Sequence, residues 1–245
     1  MTVQPPGLWV EAQAFGARVL RAGDAVWATP GELGLFYKEL QRWLALDLIE
    51  LDLEPALQHW IARKGVGLRD AEALLDRIDD SGFHDHVAAG RAAVLGAGIG
   101  RPVVLSLPGP ARLLKTVLGD EAPDEGGIDD VAVALTGLVR EVWSNELGGI
   151  LLHEGDPRAL AYCQPLINVA RNYETPVTLA FDGLLDDRPD GFAGVYDHAG
   201  AHGGHYLGDE AWQTDAGAPA PTYARIPAAL APDRVLQCLT QWRGQ

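Results

Sequence analysis

The sequence predicts an α/β protein built on a parallel sheet with helices outside it. Three observations carry this. A short apolar run followed by a helical pattern recurs along the chain, as in successive βαβ units. The runs VVLSL, ILLHE and VTLAF are nearly continuous in apolar residues, as strands buried on both faces must be. No linker divides the 245 residues, so 1–245 reads as a single domain, a length that suits one large α/β unit.

The elements follow in order. Strands are expected at 8–14, 48–54, 102–107, 149–154, 176–182 and 192–197, with a fainter pattern at 224–227. Thr29 as N-cap and Pro30 in the first turn open a helix, and Leu33, Phe36, Tyr37, Leu40 and Leu44 follow at helical spacing. Ala71, Leu74, Leu75 and Ile78 form a second stripe, ended by Asp79-Asp80-Ser81-Gly82. A helical stretch covers 84–95, with His84 and His86 read as exposed at its start. Another runs over 111–118 with Pro110 in its first turn. The segment 129–147 opens with acids, which suit a helix N-terminus, and buries Val131, Leu135, Leu138 and Val142. Asp156-Pro157 starts a helix reaching about residue 173, and the last helix begins at Ala231-Pro232-Asp233. Three loops stand out: 120–127, 186–191, and 198–220, which is rich in Gly, His and Pro. A loop as long as the last is usually functional or mobile.

Charge narrows the partners. With 19 basic and 34 acidic residues the net charge is −15, which repels phosphate backbones and anionic lipid. Nucleic acid and membranes are therefore not expected partners, and a small-molecule substrate is. A highly anionic one requires the few arginines to cluster. Cys163 and Cys238 are too few for a disulfide framework and fit a reducing cytosol. Residues 1–15 show no basic region followed by an apolar run, so no signal peptide is expected. No apolar stretch nears the roughly 18 residues of a membrane helix. Together these predict a cytoplasmic protein.

Candidate site residues lie where apolar strands end in polar residues, because parallel α/β folds bind ligands at the carboxyl ends of their strands. His153 and Glu154 close one strand, and one of the pair should face the site. Asp156, before Pro157, reads instead as an N-cap. Asp182 closes the next strand, with a turn role for Asp182-Gly183 as the alternative. Pro108 and Gly109 follow a buried strand and precede a helix, so they either leave main-chain N–H groups free for a ligand or form a rigid connection. Asp197 and His198 close a further strand, and His198, His202 and His205 are three of only seven histidines. Neutral imidazoles in threes hold catalytic zinc, so the segment is read as a metal site or as an exposed His-rich loop. Val94-Leu95-Gly96-Ala97-Gly98-Ile99-Gly100 imitates a dinucleotide fingerprint, but a helix precedes it and a strand follows, so it reads as a helix C-cap. No GxSxG, HExxH, CxxC or Walker A motif is present.

Gly100-Arg101-Pro102-Val103-Val104-Leu105-Ser106-Leu107-Pro108-Gly109-Pro110 resembles the third-strand segment of the uroporphyrinogen decarboxylase and cobalamin-independent methionine synthase superfamily. LGGILLHEGDP (147–157) is similar to that superfamily's strand ending in Asp-Glu-Pro, with His153 in the Asp place and Glu154 in the Glu place. YETPVTLAFDG (173–183), followed by GFAGVYD (191–197), looks more like the decarboxylase branch. The order and spacing agree over roughly 71–245. The resemblance implies a (β/α)8 TIM-type barrel with its site at the carboxyl end, and methyl transfer or C–C lysis as its chemistry. The chain also departs from the pattern. The decarboxylases' N-terminal Arg-rich loop has only Arg18 and Arg21 to answer to it, which disfavours porphyrinogen decarboxylation. The methyltransferases' His-x-Cys zinc pair is replaced by Ala180-Phe181-Asp182. A start compressed relative to the usual eight units leaves room for an incomplete or distorted barrel.

Three functions remain. In the first, the barrel is a small-molecule enzyme, with Glu154 as acid/base, His153 as its partner, Asp182 on the opposite rim, and Pro108, Gly109, Asp197 and His198 lining the substrate site. In the second it is a catalytically degenerate barrel that binds a ligand or a partner, as a homodimer or with another protein, using some of its seven Trp residues as anchors. In the third it is a hydrolase or lyase using a divalent metal such as zinc on His198, His202 and His205.

Overall fold

The structure, a computed structural model, describes residues 7–20, 26–64, 70–119, 121–214 and 217–244. Arg21 and Asp120 lie outside the described residues. Eight strands form the sheet: β1 (Leu8–Glu11), β2 (Ile49–Asp52), β3 (Val103–Pro108), β4 (Gly149–Glu154), β5 (Val177–Phe181), β6 (Gly194–Asp197), β7 (Gly204–Leu207) and β8 (Thr222–Arg225). Their spatial order is β1-β8-β7-β6-β5-β4-β3-β2, and every neighbouring pair is parallel. This is a (β/α)8 TIM-type barrel, closed except at the seam between β1 and β2, which share no ladder.

The helices are α1 (Gln13–Val19), α2 (Pro30–Leu44), α3 (Leu53–Lys64), α4 (Ala71–Ile78), α5 (Ser81–Gly96), α6 (Pro110–Leu118), α7 (Glu125–Val142), α8 (Gln164–Asn172) and α9 (Pro232–Arg243). Sequence signals explain most of their starts. Thr29 Oγ1 accepts the Glu32 N–H at 3.4 Å, Asp70 accepts the Ala73 N–H at 2.9 Å, and Asp124 accepts the Gly127 N–H at 2.7 Å. Asp80 both follows α4 and caps α5, taking the Gly82 N–H at 2.9 Å. Gly34 of α2 lies so close to the Ala93 carbonyl of α5 that a Cβ would stand 2.8 Å from it, so glycine permits that packing.

Four expectations change. β1 stops at Glu11 and β2 at Asp52, each giving way almost at once to a helix. Leu53, Ala56, Leu57 and Trp60 are buried at spacings of three and four, which is the stripe that makes 53–64 helical. α7 begins at Glu125, inside the segment expected to be a loop, and ends at Val142. The segment expected to be helical from Pro157 starts as a 3₁₀ turn, Pro157–Cys163. The long loop 198–220 contains strand β7.

The barrel is distorted on one side. The connections β5–β6 and β6–β7 carry no helix. Arg188 takes over part of their work, donating to the main-chain carbonyls of Phe192, Ala193 and His202.

Alternation along the strands divides the core. Ile49, Leu51, Leu105, Leu107, Ile150, Leu152, Leu179 and Val195 join the helices in the outer core. Trp9, Leu48, Val104, Leu151, Ala180, Tyr196, Tyr206 and Tyr223 fill the barrel interior. Each large apolar side chain buried this way contributes about 1.5–3 kcal/mol relative to exposure. Among the described residues no helix is long and apolar enough to cross a membrane.

Candidate active site

Following the interior face toward the carboxyl ends places Glu11 above Trp9, Glu50 and Asp52 above Leu48, His153 above Leu151, and Arg225 above Tyr223. These polar residues are drawn inside because the strand period leaves their backbones no other option. His153 Nε2 lies 2.9 Å from Glu50 Oε1, and both side chains are 3% exposed or less. Trp9 Nε1–H donates to Glu50 Oε2 at 3.0 Å. The Tyr223 hydroxyl stands 3.4 Å from both Glu50 Oε1 and His153 Nε2.

Around this pair sits a second group. Arg225 Nε is 3.3 Å from Glu11 Oε2, and Nη2 is 3.7 Å from Asp52 Oδ2. Neither nitrogen has an aligned hydrogen bond. The Gln13 N–H donates to Glu11 and the Glu54 N–H to Asp52. Arg112 pairs with Glu54 at 2.9 Å.

The electrostatics follow from burial. Loss of water raises the Glu11, Glu50 and Asp52 carboxyls to about 7, with Arg225 opposing. Mutual repulsion adds to the rise at Glu11 and Asp52. Burial, then the charge of Arg225, holds His153 well below the usual imidazole range, so it is neutral at pH 7. Burial works against the charge of Arg225, yet Tyr223 and the three acids raise its affinity for the proton.

Besides the two Arg225 nitrogens, three polar atoms of the barrel interior have no hydrogen-bond partner among the described residues: His153 Nδ1, Ser106 Oγ and the Tyr196 hydroxyl. Ser106 still lies near enough to Glu50 to favour its charge. In the strand register Ala180 stands between His153 and Tyr196, and its methyl group takes up little of the space between them. Buried polar groups are nearly always paired in folded proteins, so this set marks a place for a ligand or water.

No protein-family model matches this chain, and no curated protein matches it.

Of the residues singled out in the sequence, His153 is central. Glu154 has the opposite parity and faces out of the barrel. Its carboxylate accepts the N–H groups of Ala111 at 3.1 Å, Gly155 at 2.7 Å and Asp156 at 3.0 Å, which fixes two connections. Pro108 ends β3 on the interior face. The Gly109 N–H is not free for a ligand: it donates to the His153 carbonyl at 2.6 Å. A Cβ on Gly109 would stand 2.3 Å from Glu154 Oε2, so only glycine fits. Asp156 caps the following turn as expected, taking the Arg158 N–H at 3.0 Å.

Asp182 is on the rim, 3.3 Å from His198 Nε2. Asp197 is fully buried and turned outward, where it accepts the Gly200 N–H at 2.6 Å. The three histidines do not converge. His198 lies beside Tyr206, His202 Nε2 is 3.0 Å from the Leu185 carbonyl, and His205 packs its ring over Gly200. Among the described residues no group of three His, Cys, Asp or Glu side chains could hold a metal ion, so the expected zinc set is not formed. Gly200 and Gly203, both at positive φ, turn the segment sharply, and alternation along β7 then points His205 away from the face of Tyr206, beside which His198 lies.

The residues missed in the sequence are Glu11, Glu50, Asp52, Tyr223 and Arg225. For Glu50 and Asp52 the signal was present in IELD (49–52), where two acids at alternate positions of an otherwise apolar strand must share one face.

Proposed function

We propose that the barrel is an acid–base enzyme for a small organic molecule, with Glu50 and His153 as its proton relay. The observation that carries this is the unpartnered His153 Nδ1, whose ring is held through Nε2 by a carboxyl with a pKa of about 7. With Glu50 ionised, Nε2–H donates to it and Nδ1 is an acceptor. When the pair gains one proton, the Glu50 carboxyl donates to Nε2 and Nδ1–H becomes a donor. The exchange falls where general acid–base groups are most effective.

The resemblance to the decarboxylase and methionine synthase superfamily supports C–C lysis over methyl transfer, because Ala180-Phe181-Asp182 stand in place of the His-x-Cys pair that methyl transfer uses there and the described residues assemble no other zinc site. For a β-hydroxy carbonyl compound, Nδ1 takes the hydroxyl proton as the C–C bond breaks. The bonding pair moves to the α-carbon as an enolate, and Nδ1–H returns the proton to that carbon. Arg225 and Arg112, each about a quarter exposed at the mouth, offset the enolate charge. These are the clustered arginines that an anionic intermediate needs in so acidic a chain.

The test is a panel of small β-hydroxy ketones and β-hydroxy keto acids in D2O, followed by proton NMR. The expected result is cleavage with one solvent deuteron in the product, and kcat/KM rising through pH 7. Glu50→Gln and His153→Asn should each lower turnover at least ~100-fold. Turnover within threefold of the parent in both variants would remove the relay from the mechanism. Ligand binding without turnover by the parent protein would favour the degenerate binding barrel.

A further inference from the structure

Two arginines stand at the mouth, and each keeps part of its guanidinium uncommitted. Arg225 Nε and Nη2 are buried against Glu11 and Asp52, so what is open of this guanidinium is the Nη1 edge. Arg112 turns Nε and Nη2 to Glu54 Oε2, both at 2.9 Å, and no described residue accepts from its Nη1. Each side chain is 26% exposed. Both charges reach the same three groups, Glu11, His153 and Tyr206, so they act on one space.

Tyr206 marks the floor of that space: at 9% it is the most exposed of the side chains that fill the barrel interior. Asp182 and His198 flank it at the ends of β5 and β6, paired at 3.3 Å, with the His198 ring against Tyr206. A ligand anion is therefore directed to the arginine side, away from the Asp182 carboxylate. The charge on that side depends on protons. Glu11, Glu50 and Asp52, at about 7, are neutral in mildly acid solution. His153, held neutral, and Tyr223 and Tyr206, whose pKa values are raised by burial, add no charge there. Arg112 is matched by Glu54, so the charge of Arg225 is the one left to meet.

We propose that the substrate of this site is a 2-oxo acid, its carboxylate held by Arg225 and Arg112. The proposal deepens the acid–base reading and rests on it for the chemistry. In a 2-oxo acid the oxygen that becomes the enolate is adjacent to the carboxylate, so the same arginines serve both. A planar carboxylate fits a guanidinium edge, and one negative charge balances the one left on Arg225, which a phosphate dianion would exceed. The entering anion raises the proton affinity of the buried acids around it, so it binds with proton uptake near pH 7 and more weakly above. For hydroxy-2-oxo acids kcat/KM then rises less steeply through pH 7 than for neutral hydroxy ketones.

The probe is pyruvate, with pyruvamide as its neutral analogue. Neither carries the hydroxyl that the relay deprotonates, so binding is read apart from turnover. Dissociation constants for the full chain come from ligand-observed saturation-transfer NMR at pH 6 and pH 8.5 in constant salt. The expected result is saturable pyruvate binding at pH 6, at least ~10-fold tighter than pyruvamide, and weaker by at least ~5-fold at pH 8.5. Arg112→Gln should weaken pyruvate ~10-fold at pH 6 and leave pyruvamide unchanged, and Arg112→Lys should recover most of the loss. No saturable pyruvate binding at pH 6 overturns the proposal. So does binding no tighter than that of pyruvamide, equal at both pH values, or untouched by Arg112→Gln. If Arg112→Gln does not fold, the two ligands at the two pH values decide alone. Cleavage of neutral hydroxy ketones without pyruvate binding would uphold the relay and overturn the carboxylate site. Pyruvate binding as expected, with no cleavage of any hydroxy compound, would uphold the site and overturn the relay.

Discussion

Glu11, Glu50 and Asp52 crowd three buried carboxyls around one guanidinium, an arrangement that opposes folding. A carboxyl raised from 4.5 to about 7 binds its proton more tightly in the folded state than in the unfolded one. The folded form is therefore favoured below about 4.5, and that advantage is lost as pH rises through 7. His153 acts in the other sense: its lowered pKa removes stability only as pH falls below about 6.5. Glu11→Gln takes away one of these charges while its amide oxygen can still accept the Gln13 N–H. It should raise Tm at pH 8 by about 3–10 °C, corresponding to about 1–3 kcal/mol, and give no gain at pH 4.5. Equal gains at both pH values would show that charge burial is not the cause. This crowding was hard to read in the sequence. His153 was visible because it ends an apolar run in a polar pair. Which of His153 and Glu154 faces inward was not, since the choice rests on register, and a shift of one residue exchanges the faces. Glu11, Glu50 and Asp52 each sit in short strands whose apolar neighbours masked their shared direction.

At the scale of elements, the seam between β1 and β2 leaves β2 with an unpaired edge. Tyr37 of α2 compensates. Its buried hydroxyl donates to the Glu50 carbonyl at 2.7 Å and also meets the Gln13 side chain of α1, so one phenol joins α1, α2 and β2. Tyr37→Phe leaves that carbonyl without its partner at no change in shape. The expected cost is about 1–3 kcal/mol, seen as a lower urea midpoint with an unchanged m-value. An unshifted midpoint would mean that water closes the seam equally well. Elements with strong local patterns were legible: α2 from its cap and stripe, and β3, β4 and β5 from apolar runs that only doubly buried strands carry. β7 was not. Its four residues, GHYL, follow a glycine turn and alternate in burial, so the local pattern is too brief to separate from a loop. α3 was missed because it starts one residue after β2, with no intervening turn residue to mark the change of period.

The whole molecule carries a formal charge of −15, and the placement of its cations matters as much as their number. Arg18, Arg91, Arg188, Arg234 and Arg243 all donate to main-chain carbonyls at chain connections or helix ends. They clasp distant segments, such as α9 to the end of α2 through Arg243 and Leu44. That use holds the distorted barrel together, but it sets much of the positive charge against carbonyl dipoles instead of carboxylates. Repulsion among surface acids is then met by few ion pairs, and the exposed pairs, such as Arg42–Glu39, contribute at most about 1 kcal/mol each. Salt shortens the screening length from about 30 Å at 0.01 M to about 10 Å at 0.1 M and about 3 Å at 1 M, so it should relieve the repulsion more than it weakens the pairs. Raising NaCl from 0.01 to 0.5 M at pH 8 should increase Tm by roughly 3–8 °C, corresponding to about 1–2 kcal/mol. The increase should shrink at pH 5, where the raised carboxyls at the mouth are already protonated and surface acids begin to follow. A Tm that falls with salt at pH 8 would mean that ion pairs, and not the carbonyl clasps, dominate the electrostatics of this barrel.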